Sequence, residues 1–277
     1  DYQRSRGLGD VYKRQADIAC NFTSERFDND LDKVVNRAIA NKISKFGLIC
    51  SQLSDLDKLL GIYNQYSNEM FFTIGVHPHH ANEVNDKYLI KLKEVIRNNE
   101  PHAIGETGLD FFRNLSTYEE QIFAFEEQIK IAINTNKPLF LHQRNSHDDF
   151  IKILRRYSSD LEKIVVHCFT GTQAQLDDYL KLDAFIGVTG WVCDEKRNID
   201  LRKTIKNIPL SKLMVETDCP YLIPKDLPDK PKNNRNEPSN LNHIVTEIST
   251  LMEVDEETLR VKSFENTLNF FDIKTLL

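Results

Sequence analysis

The chain has 277 residues and a formal net charge of −6, with 40% hydrophobic and 28% charged residues. This composition is typical of a soluble globular protein with a large core, and no apolar run approaches the roughly 18 residues of a membrane-spanning helix. The acidic balance excludes a protein that coats nucleic acid through a broad basic face, because that mode needs many contacts to phosphate. A site that grips one or two phosphates through a metal remains compatible with it.

The first fifteen residues stand apart from the rest of the chain. They contain neither an initiator Met nor an apolar segment typical of a signal peptide, and they resemble translated adaptor sequence. We therefore treat residues 1–15 as an extension and expect one domain over residues 16–277. The five cysteines show no CxxC-type spacing and predict reduced thiols in a cytoplasmic protein.

Eight short apolar runs predict β-strands. In chain order they are residues 16–20, 46–50, 70–76, 101–105, 138–141, 164–166, 184–188 and 212–215. Each run is nearly continuous rather than alternating, which is typical of strands covered on both faces.

Helical patterns fill the gaps between these runs. The clearest follows the fourth run, where Thr117-Tyr-Glu-Glu120 has the form of a capping box and an apolar stripe extends from Ile122 to Ile133. The regular alternation of strands and helices predicts an α/β fold, a (β/α)8 TIM barrel of the metal-dependent hydrolase type. An open doubly wound sheet is the alternative.

Four of the predicted strands lead into side chains that ligate metals: Glu106 follows the fourth, His142 the fifth, His167 the sixth and Asp218 the eighth. Because the carboxyl ends of parallel strands meet at one face of a barrel, we expect these side chains to surround one cation. Two imidazoles and two carboxylates suit Zn²⁺, Mn²⁺ or Mg²⁺ equally.

Two of these ligands are also candidate catalytic residues. Asp218 is placed to take a proton from the attacking water, and Glu106 is placed to bridge two metals. Glu216, two residues before Asp218, is either an outer carboxylate that orients a ligand or a catalytic one.

Seven ordered motifs resemble the TatD family of metal-dependent deoxyribonucleases. They are Gly75-Val-His77-Pro-His79, Ile104-Gly-Glu106-Thr-Gly-Leu-Asp110-Phe, Leu141-His142-Gln-Arg144, Val166-His167-Cys-Phe-Thr-Gly171, Val188-Thr-Gly-Trp191, Glu216-Thr-Asp218-Cys-Pro-Tyr221 and Arg235-Asn-Glu237-Pro238. The resemblance runs from about Asp17 to the C-terminus.

The resemblance implies a TIM barrel that hydrolyses phosphodiester bonds in DNA with a divalent metal, often as a 3′-to-5′ exonuclease that clears damaged ends. It implies that Glu106, His142, His167 and Asp218 are metal ligands. It also places four further side chains near substrate phosphate, where they can bind it: His77, His79, Arg144 and Arg235.

One departure from the family pattern concerns the first strand. Most relatives carry His-x-His there, whereas this chain has Ala19-Cys20-Asn21, as does one branch of the family with its small residue and Asn. The absence of these two imidazoles lowers the affinity of one metal position. We therefore expect one tightly bound metal ion and a second that binds together with substrate. Mg²⁺, or Mn²⁺, is then favoured over Zn²⁺.

The expected substrate is DNA, either single-stranded or at frayed 3′ ends, with RNA also possible, and we expect a monomer. Trp191 and Tyr221 are candidates to stack on unpaired bases. A basic rim is predicted from the last two strand loops: Lys196, Arg197, Lys225, Lys230, Lys232 and Arg235. Two alternatives stay open: a metal-dependent hydrolase of an amide or aminoacyl ester, and a non-catalytic barrel that binds phosphate or nucleic acid.

Overall fold

A computed structural model describes residues 14–196, 198–231 and 233–274. Residues 1–13, Arg197 and Lys232 lie outside the described residues, and so do the predictions that concern them. Within the described ranges, no helix has the length and apolar character that crossing a bilayer requires.

Eight parallel strands form one sheet in which each strand pairs with its neighbour in sequence. The strands are β1 (Gln15–Cys20), β2 (Ile43–Leu48), β3 (Met70–Ile74), β4 (Ala103–Asp110), β5 (Leu139–Arg144), β6 (Ile164–Val166), β7 (Phe185–Val188) and β8 (Leu213–Val215). A bridge between Cys20 and Cys219 joins the two ends of the sheet. The predicted (β/α)8 barrel is confirmed, and the doubly wound alternative is wrong because the strand order has no switch point.

The helices cover the outside of this barrel. They are α1 (Leu31–Ala40), α2 (Leu56–Gln65), α3 (Asp86–Asn99), α4 (Tyr118–Thr135), α5 (His147–Tyr157), α6 (Gln173–Lys181), α7 (Ile199–Thr204), α8 (Leu241–Met252) and α9 (Glu256–Phe270). The capping box before α4 is present: Thr117 N–H donates to Glu120 Oε2 at 2.8 Å, and Glu120 N–H donates to Thr117 Oγ1 at 3.3 Å.

The fourth strand is longer than predicted. It continues to Asp110 through Gly105 and Gly108, whose φ angles are +147° and +144°, and its pairing with β5 shifts register once, between Ile104 and Thr107. At Gly108 a Cβ would lie 1.9 Å from the carbonyl oxygen of His142 on β5, so this close approach requires glycine. Glu106 therefore lies in mid-strand, and Asp110 occupies the strand end.

Aromatic residues close the floor of the barrel, near the strand starts. Phe270 and Phe271, at the end of α9, enter the interior cluster, where the ring centroids of Phe71 and Phe271 are 4.4 Å apart. Phe140 in the same cluster lies 4.7 Å from the ring of His167. The floor thus supports the side chains at the opposite, carboxyl end of the strands.

Candidate metal centre in the barrel mouth

A cleft of about 1650 Å³ opens at the carboxyl ends of the strands. It exceeds the roughly 300–1,000 Å³ of small-molecule pockets and suits a polymer. Every strand, or the segment that follows it, contributes to the lining, in order from β1 to β8: Asn21, Ser51, His77, Glu106, His142, His167, Trp191 and Asp218.

One carboxylate oxygen of Glu106 lies at the centre of a cluster of three histidines in this cleft. Glu106 Oε1 is 2.7 Å from His167 Nε2, 3.0 Å from His142 Nδ1 and 3.4 Å from His77 Nε2. Burial opposes ionisation of Glu106, but the charge of the His167 imidazole and its other ring partners outweigh it and hold the pKa well below its ordinary value. Glu106 is therefore an anion at neutral pH.

The cluster fits a divalent ion. With bonds near 2.1 Å, adjacent ligands of an octahedral ion lie roughly 3 Å apart, and the ring nitrogens of His142 and His167 lie at 3.0 and 2.7 Å from Glu106 Oε1. Two imidazoles and a carboxylate also form a donor set that such ions accept. These three residues would hold the ion.

His77 has a different role from its neighbours. Its Nδ1 accepts the backbone N–H of His79 at 3.1 Å, so the neutral ring carries its proton on Nε2, toward Glu106. Burial lowers the pKa of His77 to about 4, which keeps the ring neutral. Although its ring nitrogen lies within ligand range of Glu106 and His142, the tautomer makes His77 a hydrogen-bond donor.

Glu216 orients one of the predicted ligands. Its Oε2 is 3.4 Å from His167 Nδ1, and its Oε1 accepts the backbone N–H of Cys168 at 2.5 Å. Glu216 is fully buried and does not line the cleft. A proton held on Nδ1 by this carboxylate leaves Nε2 of His167 free to bind a metal.

Asp218 lies at the seam between β8 and β1. Its Oδ1 accepts a hydrogen bond from Asn21 Nδ2 at 2.9 Å, so the residue at the altered first-strand position contacts the fourth predicted ligand directly. Burial raises the pKa of Asp218 to about 7, against the opposing charge of His167. The side chain lines the cleft with Glu106, and its hydrogen bond goes to Asn21, whereas His142, His167 and His77 contact Glu106 Oε1.

A second buried carboxylate, Asp110, escaped the sequence prediction. Its Oδ2 is 3.0 Å from His79 Nε2 and 3.2 Å from His142 Nε2, and its Oδ1 accepts the backbone N–H of Arg113 at 2.7 Å. Burial opposes its ionisation, but the bonds from His142 and His79 lower its pKa below the ordinary value. The acid at the end of the Glu106 motif was visible in the sequence, but the strand was predicted to stop at Gly105.

Known proteins match the chain along nearly its whole length. The family model described as TatD related DNase matches residues 16–272. A 3′-5′ ssDNA/RNA exonuclease TatD from Erwinia tasmaniensis is 38% identical over 257 residues, which cover 93% of this chain and 99% of the relative. The chain belongs to the TatD family. The predictions of the family and of a hydrolase that cleaves phosphodiester bonds as a metal-dependent nuclease are confirmed.

Two further TatD relatives agree with this assignment. An exonuclease of the same name from Yersinia pseudotuberculosis is 41% identical over 258 residues, covering 92% of this chain and 98% of the relative. The crystal structure of a TatD-family hydrolase from Entamoeba histolytica superposes with a TM-score of 0.84 at 31% identity, covering 93% of this chain and 98% of the other. The barrel and its connections are those of the TatD fold.

Most of the predicted substrate contacts border the TatD cleft. His79, Arg144, Trp191 and Tyr221 all line it. The guanidinium of Arg144 lies 3.9 Å above the ring centroid of Phe112, a cleft residue with 56% of its surface exposed. The sequence reasoning missed this aromatic platform because Phe112 lies one residue beyond the Glu106 motif, in the loop after the strand end.

The structure does not bring Arg235 to the cleft. The residue is 7% exposed, and its guanidinium forms bonds of 2.7 Å to both carboxylate oxygens of Asp30 and to Glu237. Two carboxylates already occupy this planar donor group, so it holds the loop after β8 against the start of α1. Of the predicted basic rim, the described lysines Lys196, Lys225 and Lys230 are also absent from the cleft lining.

Proposed function

We propose that this chain is a metal-dependent 3′-to-5′ exonuclease that removes nucleotides from single-stranded DNA ends and also accepts RNA. The observation that carries the proposal is the convergence of three imidazoles on one oxygen of Glu106 at the base of a polymer-sized cleft. The substrate and the direction of attack are those in the names of TatD exonuclease relatives that are 38–41% identical.

The proposed metal ligands are Glu106, His142, His167 and Asp218. The first three support a firm position, while Asp218 supports a weaker second one, because an amide from Asn21 stands there instead of an imidazole. We propose Mg²⁺, or Mn²⁺, as the physiological ion, since oxygen ligands dominate the weaker position. A divalent ion bound in this cluster supplies Lewis acidity toward a phosphoryl oxygen and acidifies water.

The chain's own residues supply proton transfer and orientation. Asp218, whose pKa is about 7 before any cation is near, is the proposed base for the attacking water, and a neighbouring cation favours its ionised form. The Nε2–H of His77 faces Glu106 in the structure; with substrate present, its proposed role is to donate a hydrogen bond to a non-bridging phosphate oxygen, which His79 and Arg144 also position.

A preference for unpaired bases is supported by the exposed rings along the cleft. Tyr221 is 52% exposed, and Trp191 and Phe112 border the same space. Stacking of a base on such a ring contributes about 1–3 kcal/mol in single-strand binders, and a paired base cannot use it. These rings favour single-stranded ends.

The remaining expectations are part of the same proposal. A monomer suffices, because a single chain lines the whole cleft. The five free thiols favour a reducing compartment such as the cytoplasm. A role in clearing damaged DNA ends stays a prediction.

The test is digestion of a 5′-labelled single-stranded oligonucleotide with Mg²⁺, Mn²⁺, Zn²⁺ or chelator. We expect a ladder that shortens from the 3′ end with Mg²⁺ or Mn²⁺, and no products with chelator or with Glu106→Gln, which also controls for contaminating nucleases. Binding without cleavage in any metal would favour the non-catalytic barrel. Hydrolysis of aminoacyl esters without DNA cleavage would favour the other hydrolase.

A further inference from the structure

Three side chains that bind transition metals meet outside the cleft. Cys193 ends the short 3-10 turn after β7, Asp226 lies in the loop after β8, and His243 is in the first turn of α8. Their ligand atoms all lie within 4.8 Å of one another, and His243 Nε2 is 2.8 Å from Asp226 Oδ1. None of the three lines the cleft.

The order of contacts in this cluster indicates a metal site rather than a nucleophile. Asp226 lies between the other two, since it contacts both the Cys193 thiol and the His243 ring. A catalytic thiol needs the imidazole beside it as a base, and here the carboxylate takes that place. A thiolate, an imidazole and a carboxylate are the donor types of zinc sites.

The cluster has one buried ligand and two ligands that are accessible to solvent. Cys193 is 2% exposed, whereas the side chains of His243 and Asp226 are 28% and 43% exposed. The thiol therefore lies beneath two groups that face water, and an ion can enter between them. The negative charges of Asp226 and Glu247 disfavour ionisation of the Cys193 thiol, whereas the positive charge of Arg202 favours it.

A second cysteine cluster at the barrel seam lacks these properties. Asp17, Cys20 and Cys219 are fully buried, and the Asp17 carboxylate already accepts the backbone N–H and the hydroxyl of Thr217. Its oxygens are engaged in joining β1 to β8, so this cluster is a structural clasp.

We propose that Cys193, Asp226 and His243 form a zinc site that is separate from the nuclease centre. On binding, the thiol releases its proton to solvent, and the imidazole proton moves from Nε2 to Nδ1 so that Nε2 can bind the ion. Burial raises the pKa of the Cys193 thiol, so the proton to be released is still present at neutral pH without an ion.

The proposed site connects two walls of the cleft. Trp191 belongs to the same 3-10 turn as Cys193, and Tyr221 belongs to the same loop as Asp226. Both rings line the cleft. A bound ion would fix the loop after β8 to the turn after β7 and to α8, and would thereby set the distance between the two rings.

The experiment is a Co²⁺ titration of the metal-free full chain under anaerobic conditions, because a Co²⁺–thiolate bond gives a charge-transfer absorption that carboxylate and imidazole ligands lack. We expect this band to saturate at one ion per chain. Cys193→Ser should lose it, and His243→Gln should weaken binding. The matched control Cys168→Ser removes the thiol beside the cleft and should keep the band.

Absence of a thiolate band in the wild type, or its persistence in Cys193→Ser, would overturn the zinc site. Circular dichroism checks that Cys193→Ser folds; if it does not, His243→Gln, at a partly exposed position, decides, since unchanged Co²⁺ affinity there would reject the site. Zn²⁺ should also slow tryptic cleavage at Lys225 in the wild type but not in His243→Gln. These readouts do not depend on nuclease activity.

Discussion

Replacing Glu216 by Gln should lower the affinity of the proposed centre for its metal ion without changing any of the ligands. In the native chain Glu216 accepts from Cys168 N–H at 2.5 Å and lies 3.4 Å from His167 Nδ1. The Gln carbonyl must stay on the Cys168 N–H, because that donor has to be satisfied, so the amide NH₂ turns toward Nδ1. His167 then carries its proton on Nε2, the atom that must bind the ion.

The size of the effect follows from the bond that is lost. A hydrogen bond to a charged group contributes about 1.5–3 kcal/mol, which at 1.4 kcal/mol per decade corresponds to about 10- to 150-fold in affinity. Loss of an outer carboxylate on a metal-bound His typically costs about 10- to 100-fold. We therefore expect the metal concentration for half-maximal activity to rise by one to two decades.

The assay titrates Mg²⁺ or Mn²⁺ against oligonucleotide hydrolysis. Activity of Glu216→Gln should recover at high metal, since the ligands themselves remain. Glu126→Gln, which removes an equal charge from a carboxylate that pairs with Arg156 on the surface, is the matched control and should leave the titration unchanged. A Glu216→Gln curve that coincides with the wild type within about twofold would refute the tautomer argument.

Three further outcomes are expected. Asp110→Asn turns an amide toward His79 and His142 and should lower kcat by about tenfold or more in the same assay; unchanged kcat would remove Asp110 from the site. Burial raises the pKa of Asp17 to about 7, so the folded state keeps a proton that the unfolded state loses above pH 3.8, and roughly 4 kcal/mol of stability disappears as pH rises from 3.8 to 7, about 3 kcal/mol of it above pH 5. Urea unfolding at pH 5 and pH 7.5 checks this, and Asp17→Asn should flatten the difference. Tyr221→Ala should raise KM for single strands by about 5- to 150-fold with little change in kcat, and an unaltered KM would argue against stacking.

The barrel was predictable because its signals are local and repeated. Each apolar run and each amphipathic gap carries its own pattern, and the capping box before α4 fixed a helix start within one residue. The meeting of the proposed ligands was predictable because parallel strands place their carboxyl ends at one face. That rule brings Glu106, His142 and His167 together, although Glu106 lies in mid-strand and not at the strand end.

The features that the sequence did not predict depend on contacts that no local pattern encodes. The apolar-run criterion ended β4 at Gly105, since it cannot detect that positive φ angles let a glycine-containing strand continue to Asp110. Arg235 looked like a phosphate ligand because its partner Asp30 lies about two hundred residues away in sequence. The tautomer of His77 depends on one backbone N–H, which only the coordinates place.

The aromatic floor links the metal cluster to the order in which the chain is made. His167 rests on Phe140, whose ring lies 6.5 Å from that of Phe271. A nascent chain on the ribosome that has produced every strand still lacks the support beneath this imidazole until residues through 271 emerge. The imidazole of His167 is therefore expected to gain its full support only once the end of α9 has packed beneath the barrel.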